Sequence, residues 1–412
     1  MKRIVMFING IETQGYFSMR LGKHFQKMGY DVFYYDYWEE ERSFRDLKRF
    51  VRHGDTVMIT FNFHGLEEGE VFYKEDGSIY WEEEDIPCFN IVLDHPLYYH
   101  KMLKRLPEKY YQISIDRYHK IYMEKYWSGV ALGPFLPLAG TALVEKESLI
   151  PIKERPIDLI ITGNYAPPET FRKYIERIDE EYTRFYMGMI EDLKCHSEKT
   201  IEQVAESHLY REIPNATKEE IRETIGNLSF IDLYVRFWLR GETIRQLAEN
   251  GFRVHTCGKG WDLLECSRHE NIIEHGSMNS EECLKMLGKS KVSVNVMPWF
   301  KDGAHDRIFN SQLNGAVCLS DDSLYLREIF RDGKDILFFR QEETENIPMM
   351  TEQLFKHQDI MEGIAEEGYR TAQNGHTWED YAERLMEYVE DTSGTDTTIW
   401  RGYEPFTKKL RI

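Results

Sequence analysis

A chain of 412 residues is too long for one ordinary hydrophobic core, so two α/β domains are the natural expectation. With 42% hydrophobic and 14% aromatic residues it can fill both cores, which argues against a disordered chain. A formal net charge of −19 argues against a nucleic-acid partner and against docking on anionic lipid, while a small phosphate-bearing ligand stays compatible if positive groups gather in one cleft.

In chain order, Arg3 to Ile8 reads as a continuous apolar strand. A loop with Asn9, Gly10 and Gly15 follows, then a helix with Phe17, Leu21, Phe25 and Met28 on one face, stopped by Gly29. Asp31 to Tyr35 is the next strand, and Val57 to Phe61, Phe89 to Leu93 and Gln112 to Ile115 continue the series. Strands apolar throughout and alternating with helices indicate a parallel sheet covered on both faces. Glu82 to Asp85 reads as a solvated acidic loop. Prolines 134, 137, 151 and 156 punctuate the chain before a new strand, Ile157 to Thr162, and place a domain boundary near residue 150. A segment from about Pro168 to Gly241, rich in charged and aromatic residues at helical spacing, reads as a helical insertion. Strands resume at Phe252 to Thr256 and alternate through Phe339. Trp378 to Val389 is an amphipathic helix, and a polar tail, Thr392 to Ile412, ends the chain.

The six cysteines form no C-x-x-C pair, so neither a zinc site nor a disulfide framework is indicated. The apolar run at the N-terminus is too short for a signal peptide, and no run of about 18 apolar residues marks a membrane span. A cytosolic, reduced protein without membrane insertion is the expectation.

The most informative stretch is Lys291 to Phe339. An apolar strand (Val292, Val294, Val296) runs into a Pro/Gly-punctuated loop, then a polar helix, then a Gly-led strand, Ala316 to Leu319. His305, Asp306 and Arg307 stand at the helix start, at the carboxyl end of a strand. Open α/β sheets bind ligands there, and helix N-termini bind phosphate. Further pieces are Ile161-Thr162-Gly163-Asn164, Gly258-Lys259-Gly260-Trp261, Val294-Asn295-Val296, Arg307-Ile308-Phe309, Asn314-Gly315-Ala316, and Thr377-Trp378 with Arg384. In this order and spacing they resemble the donor-binding half of GT-B glycosyltransferases of group 1, specifically the family of the spore maturation protein CgeB. Leu93-Asp94-His95-Pro96 and Phe135 to Ala139 are similar, in outline, to the domain that often precedes it.

The resemblance implies two Rossmann-like doubly wound domains facing a cleft. Residues 1–150 would form the acceptor side, 151–375 the nucleotide-sugar domain with its insertion at about 168–241, and 376–412 a crossing helix and tail. It also implies a nucleotide diphosphate sugar as co-substrate, no further cofactor and no metal, in keeping with the missing Asp-x-Asp motif. Transfer of a glycosyl group must neutralise the departing diphosphate and aim the acceptor at the anomeric carbon. Arg307, in the first turn of a helix, is the leading diphosphate ligand; pairing with Asp306 is its plainer alternative. Lys259 and Gly260 lie in a glycine turn that lets backbone approach a ligand, and Gly163 and Asn164 end a strand where a backbone N–H meets phosphate; each also fits an ordinary turn. His305 donates to a phosphate or sugar oxygen or sits beside a cap, and Asp306 reads as an N-cap. Trp261 shapes a base pocket or belongs to the core. The family's ribose-binding carboxylate falls at Asn310, with Asp302 as the other half of the spaced pair. An amide there lacks the charge-assisted bond.

On the acceptor side, His95, or else Asp94, would take the acceptor proton if transfer inverts the anomeric centre; a Pro-turn histidine held by Asp94 is the structural alternative. The Gly10 to Gly15 loop is the other acceptor-side candidate, and Asp116 with His119 reads as a helix cap. The reading is a metal-independent glycosyltransferase, retaining by resemblance, whose acceptor is a protein, a glycan or a small molecule. Its rivals are a GT-B-shaped protein that binds a nucleotide sugar or a partner without transfer, which Asn310 favours, and a nucleotide-sugar epimerase on the same scaffold.

Overall fold

The computed structural model describes residues 1–394, so most of the expected polar tail, 395–412, lies outside the described residues. The chain divides into two compact units, Met1–Pro137 together with the segment from Trp378, and Leu138–Thr377. Each is built on a six-stranded parallel sheet.

The first unit runs β1 (Arg3–Ile8), α1 (Glu12–Lys27), β2 (Asp31–Asp36), α2 (Glu40–Phe50), β3 (Thr56–Phe61), α3 (Tyr80–Glu83), β4 (Cys88–Val92), β5 (Tyr110–Ser114), α4 (Arg117–Tyr126) and β6 (Ala131–Phe135). Its strand order is β2-β1-β3-β4-β5-β6. β3 and β4 are buried at every position, as expected of predominantly apolar central parallel strands. β6 escapes the sequence pattern because it contains Gly133 and Pro134. A proline is tolerated there because β6 is an edge strand. The acidic run expected as a loop begins in α3, and its charges are paired: Glu83 with Lys74, Asp85 with Lys109.

The second unit runs β7 (Ile157–Thr162), α5 (Arg172–Ile175), α6 (Glu180–Cys195), α7 (Ile201–Glu212), α8 (Lys218–Ile225), α9 (Ser229–Glu249), β8 (Val254–Cys257), β9 (Ile272–Glu274), α10 (Ser280–Leu287), β10 (Ser290–Asn295), α11 (Asp306–Leu313), β11 (Val317–Asp321), α12 (Leu324–Ile329), β12 (Leu337–Phe339), α13 (Ile347–Lys356) and α14 (Gln358–Gln373). The order is β12-β11-β10-β7-β8-β9. The three-residue strands β9 and β12 are the two edges, too short for periodicity to show. The helical insertion is present, but its expected end at Gly241 falls inside α9. That helix continues into the core of the unit, burying Leu239, Ile244, Leu247 and Ala248. Gly241 has no Cβ because the Tyr165 ring would stand 2.7 Å from it.

The division falls at Pro137/Leu138, earlier than residue 150. The side chains of Asn310 and Asn314 explain why. The Thr141 N–H donates to Asn310 Oδ1 (2.8 Å), the Leu143 N–H donates to Asn314 Oδ1 (3.2 Å), and Asn314 Nδ2 donates to the Thr141 carbonyl (2.8 Å). Three tertiary hydrogen bonds thus bind a proline-flanked segment that reads as linker to the second unit. The final helix, α15 (Trp378–Gly394), belongs to the first unit. Tyr381, Leu385 and Val389 are fully buried on it, and the Trp378 ring packs 5.1 Å from that of Phe17 on α1. Each such buried side chain contributes about 1.5–3 kcal/mol.

Candidate functional site

In the second unit the chain builds outward from β7 through β8 to β9, then returns to the other side of β7 with β10. The carboxyl ends of β7 and β10 therefore flank a topological switch point, the usual ligand crevice of an open parallel sheet. β7 ends in Gly163 (φ +141). Beside it the turn after β8 brings Gly258 so close that a Cβ there would lie 2.3 Å from the Gly163 carbonyl oxygen; one on Gly260 would lie 2.2 Å from that of Tyr165. The two loops are cross-linked: the Gly163 N–H donates to the Cys257 carbonyl (2.8 Å), the Tyr165 N–H to the Lys259 carbonyl (2.9 Å), and the Lys259 N–H to Asn164 Oδ1 (2.9 Å). Trp261 is fully buried, donates to the Gly163 carbonyl (2.9 Å) and stacks on Tyr165. It belongs to the core that holds this rim.

Arg307 spans the switch point. Its Nε donates to Asn295 Oδ1 (3.0 Å) and Nη2 to the Val296 carbonyl (3.2 Å), both at the end of β10. Its Nη1 donates to the Thr162 carbonyl (3.1 Å) at the end of β7. A second guanidinium meets it. Arg240, on α9 and only 5% exposed, donates to the Asn164 carbonyl. From the place where a Gly163 Cβ would be, Arg307 Nη1 is 3.0 Å away and Arg240 Nη1 3.5 Å. Arg236, one turn earlier on α9, pairs with Asp232 (2.8 Å) and lies 3.6 Å over the Trp299 ring. Among the described residues neither Arg240 nor Arg307 forms an ion pair with a carboxylate. Burial, followed by the like charges of Arg307 and Arg236, pushes Arg240 well below the ordinary arginine pKa. Burial does the same to Arg307, which Asp306 partly offsets. Two adjacent guanidiniums that feel the charges of Asp306 and Asp321 but form no ion pair are costly in the free protein, and an anion at Gly163 would relieve that cost.

The loop between β10 and α11 is fixed from below. Both carboxylate oxygens of the fully buried Asp321 accept from the Met297 N–H (2.9 and 3.0 Å), and Gln341 Nε2 donates to one of them (2.8 Å). Burial pushes this carboxyl up to about 7 despite those bonds. Ser323 Oγ donates to the Gly303 carbonyl (2.7 Å).

The sequence-derived candidates fall into two groups. Gly163, Asn164, Gly260 and Arg307 meet at the switch point. Lys259 joins them through its backbone, its side chain being exposed. His305, not Asp306, is the N-cap of α11: its Nδ1 lies 3.4 Å from the Arg307 backbone nitrogen and 2.5 Å from Asp306 Oδ1, to which it donates when protonated. For Asp306, burial raises the pKa, but the charge of and hydrogen bond with His305 outweigh it and leave the carboxyl below its usual range. Asp302 is half-buried in the same loop. Asn310 is used inside the fold. Its Oδ1 takes the Thr141 N–H, and its Nδ2 donates to Asp306 Oδ2 (2.7 Å), an engagement that differs from the ribose contact expected of it.

In the first unit, His95 is 3% exposed; its Nδ1 accepts from the Leu97 N–H (3.1 Å) and its ring packs between His119 and Tyr122. Pro96 starts the short turn that His95 caps, so the local sequence has made a structural histidine where an acceptor-side base is expected. Asp94 Oδ2 accepts from Asn62 Nδ2 (3.1 Å) and the Tyr99 hydroxyl (3.2 Å). Asp116 caps α4 through Tyr118 and His119, as its position suggests.

Arg236 and Arg240 are absent from the sequence-derived set. A signal exists: Arg240 precedes Ile244 and Leu247 on the buried stripe of α9, where a guanidinium has no structural reason to be. Among the described residues no group of three or more His, Cys, Asp and Glu is placed to hold a metal ion, and no helix is long and apolar enough to cross a membrane.

Residues 240–387, beginning at that arginine, match the family model described as glycosyl transferase-like. No curated protein sequence matches the chain. Among solved structures it is similar to an alpha-glucosyltransferase in complex with UDP and a 13-mer DNA containing a HMU base (10% identity, TM-score 0.53, covering 94% of this chain and 99% of that one). It is also similar to AviGT4, a glycosyltransferase involved in avilamycin A biosynthesis (9% identity, TM-score 0.51, covering 95% and 98%). A likeness to TarM (9% identity, TM-score 0.46) covers 84% of this chain, which spans 57% of TarM. The first two show a common fold, the two-sheet α/β architecture of GT-B glycosyltransferases.

Proposed function

We propose that this protein is a glycosyltransferase whose second unit holds the diphosphate of a nucleotide sugar at the β7/β10 switch point. The observation that carries this is the convergence on Gly163 of two guanidiniums, the buried Arg240 and the part-buried Arg307, neither of which forms an ion pair with a carboxylate among the described residues. A diphosphate supplies the missing negative charge, and guanidinium forks match phosphate oxygens bidentately. The glycine at the end of β7 leaves room for the phosphate to approach backbone. As the bond between the anomeric carbon and the diphosphate oxygen breaks, charge grows on that oxygen, and the two arginines stabilise the leaving group without a metal. The arginines stand in for the cation that a metal-dependent site would bind. The sugar passes to a hydroxyl of a protein, glycan or small-molecule acceptor, with retention at the anomeric carbon.

The experiment is a thermal-unfolding panel with UDP, GDP, ADP, dTDP and CDP, each with and without EDTA. At a hundredfold excess over its dissociation constant one of them should add about 2.7 kcal/mol, a shift of several degrees that EDTA leaves unchanged. Failure of all five to shift wild type removes the donor site and favours a GT-B-shaped protein that transfers nothing. Loss of the shift in EDTA removes the metal-independent part alone.

A further inference from the structure

The first unit has a switch point of its own, between β1 and β3, because β2 adds on one side of β1 and β3 on the other. The loops leaving those two strands touch. A Cβ on Gly10, just after β1, would lie 2.9 Å from His64 Cε1, 3.1 Å from the Tyr37 ring and 3.3 Å from His64 Nε2, so the missing side chain is what admits both rings. The backbone here is strained: Asn9 (φ +61), Asn62 (φ +47) and Phe63 (φ +66) are left-handed without being glycine. His64 is half-buried, its ring 5.3 Å from that of Tyr37, and among the described residues its ring nitrogens make no hydrogen bond. The Tyr37 hydroxyl accepts from the Gly65 N–H (2.9 Å) and donates to Glu70 Oε1 (2.9 Å), while Glu70 Oε2 is buried without a partner. In the first turn of α1, Gln14 is 5% exposed and its Oε1 is likewise unpartnered.

The unmet groups are an amide oxygen and the bare nitrogen of an imidazole, both acceptors, and a carboxyl oxygen of Glu70 that accepts when ionised and donates when protonated. Burial lowers the His64 pKa to about 4, so the ring is neutral at physiological pH. Burial raises Glu70 to about 7, and the charged side chains acting on it, Glu67 and Glu40, are both acidic. A phosphate only accepts hydrogen bonds at neutral pH and would find neither a cation nor a surplus of donors. A hydroxyl donates to such groups and takes a bond back from the imidazole N–H.

We propose that the β1/β3 switch point is the acceptor-hydroxyl site, in which His64, backed by Tyr37 and Glu70, selects a neutral hydroxyl-bearing sugar or polyol and rejects phosphorylated groups. The proposal rests on the glycosyl-transfer reading above. It makes His64, not His95, the histidine that meets the acceptor.

The test is NMR of the full chain with ¹³C-labelled histidine rings, the His64 resonance being assigned by its loss in His64→Gln. Methyl glycosides of glucose, galactose and N-acetylglucosamine are titrated in turn, with inorganic phosphate as the comparison. At least one glycoside should move the His64 resonance saturably, and phosphate should not. A response to phosphate, or to none of the three glycosides, overturns the proposal. Nucleotide-diphosphate binding is followed on the same samples. Binding with a silent His64 removes this inference and leaves the transferase reading standing. A responsive His64 without nucleotide binding keeps the sugar site at His64 but removes the transferase reading and, with it, the acceptor role.

Discussion

The two units present the same topological position with opposite chemistry. At β7/β10, the buried Arg240 and the part-buried Arg307 stand beside Gly163 without an ion-pair partner among the described residues. At β1/β3, His64 is a neutral ring and Glu70 a carboxyl that burial raises to about 7, with acidic neighbours. Parallel strands that reverse their order of addition open a crevice in both places. Topology therefore fixes where a ligand can sit, and the side chains on the loops fix which sign of charge it must have. On the proposed reading an anion occupies one crevice and a neutral hydroxyl the other, the two halves that a glycosyl transfer needs.

That comparison can be broken most directly at the arginines. Arg307→Ala and Arg240→Ala are each expected to weaken nucleotide-diphosphate binding by about 1.5–3 kcal/mol, roughly 10- to 150-fold, in isothermal titration. Arg240→Met sharpens the point. If the guanidinium is held for a ligand, its apolar replacement should lose binding yet unfold no earlier than wild type, because a buried uncompensated charge has gone. A large drop in Tm would make Arg240 a structural residue.

Gly258→Ala comes next. It sets a Cβ 2.3 Å from a backbone carbonyl at a φ of +151°, so a loss of at least about 1–3 kcal/mol in urea unfolding is expected. Unchanged stability would mean that the two loops are not locked together.

Each unit also carries one carboxyl that burial raises to about 7, Asp321 in the second and Glu70 in the first. In the unfolded chain these groups release their protons near pH 4. Their contribution to stability is thus present below about pH 4 and is lost as pH rises through 7. Asp321→Asn and Glu70→Gln should each flatten the decline in Tm over that range, and the double variant should show the sum because the groups lie in different units. A slope identical to wild type in either variant would contradict the burial argument at that site.

The smallest effect is expected from Gly10→Ala, about 1 kcal/mol, because the His64 and Tyr37 rings can shift where a backbone carbonyl cannot. Its readout is the His64 ring resonance, which should move although the residue itself is intact.

Much of the fold was legible in the sequence for a simple reason. Central parallel strands are mostly apolar on both faces, so β1, β3, β4 and β7 announce themselves as hydrophobic runs broken by few polar residues. Glycines at strand ends marked Gly163, Gly258 and Gly260 as places of close backbone approach, and Arg307 was visible as the cation at a helix start. Among the edge strands β2 was read from its sequence, whereas β6, which bears a proline, and the three-residue β9 were not legible.

What only the tertiary structure decided is which polar groups remain unpaired. Asn310 and His95 are polar residues at plausible sites, yet the fold uses both, one to bind Thr141 and the other to cap the turn at Pro96. His64 stood in a loop with nothing in its neighbours along the chain to mark it, and Arg240 was marked only by its place on the apolar stripe of α9. Pairing depends on groups distant in sequence: Asn164 in a loop and Arg307 at a helix start meet Arg240, and Gly10 after β1 meets His64 after the neighbouring strand β3. The sequence set the strands and their chemistry, while the order in which the sheet adds them determined which side chains were left needing a ligand.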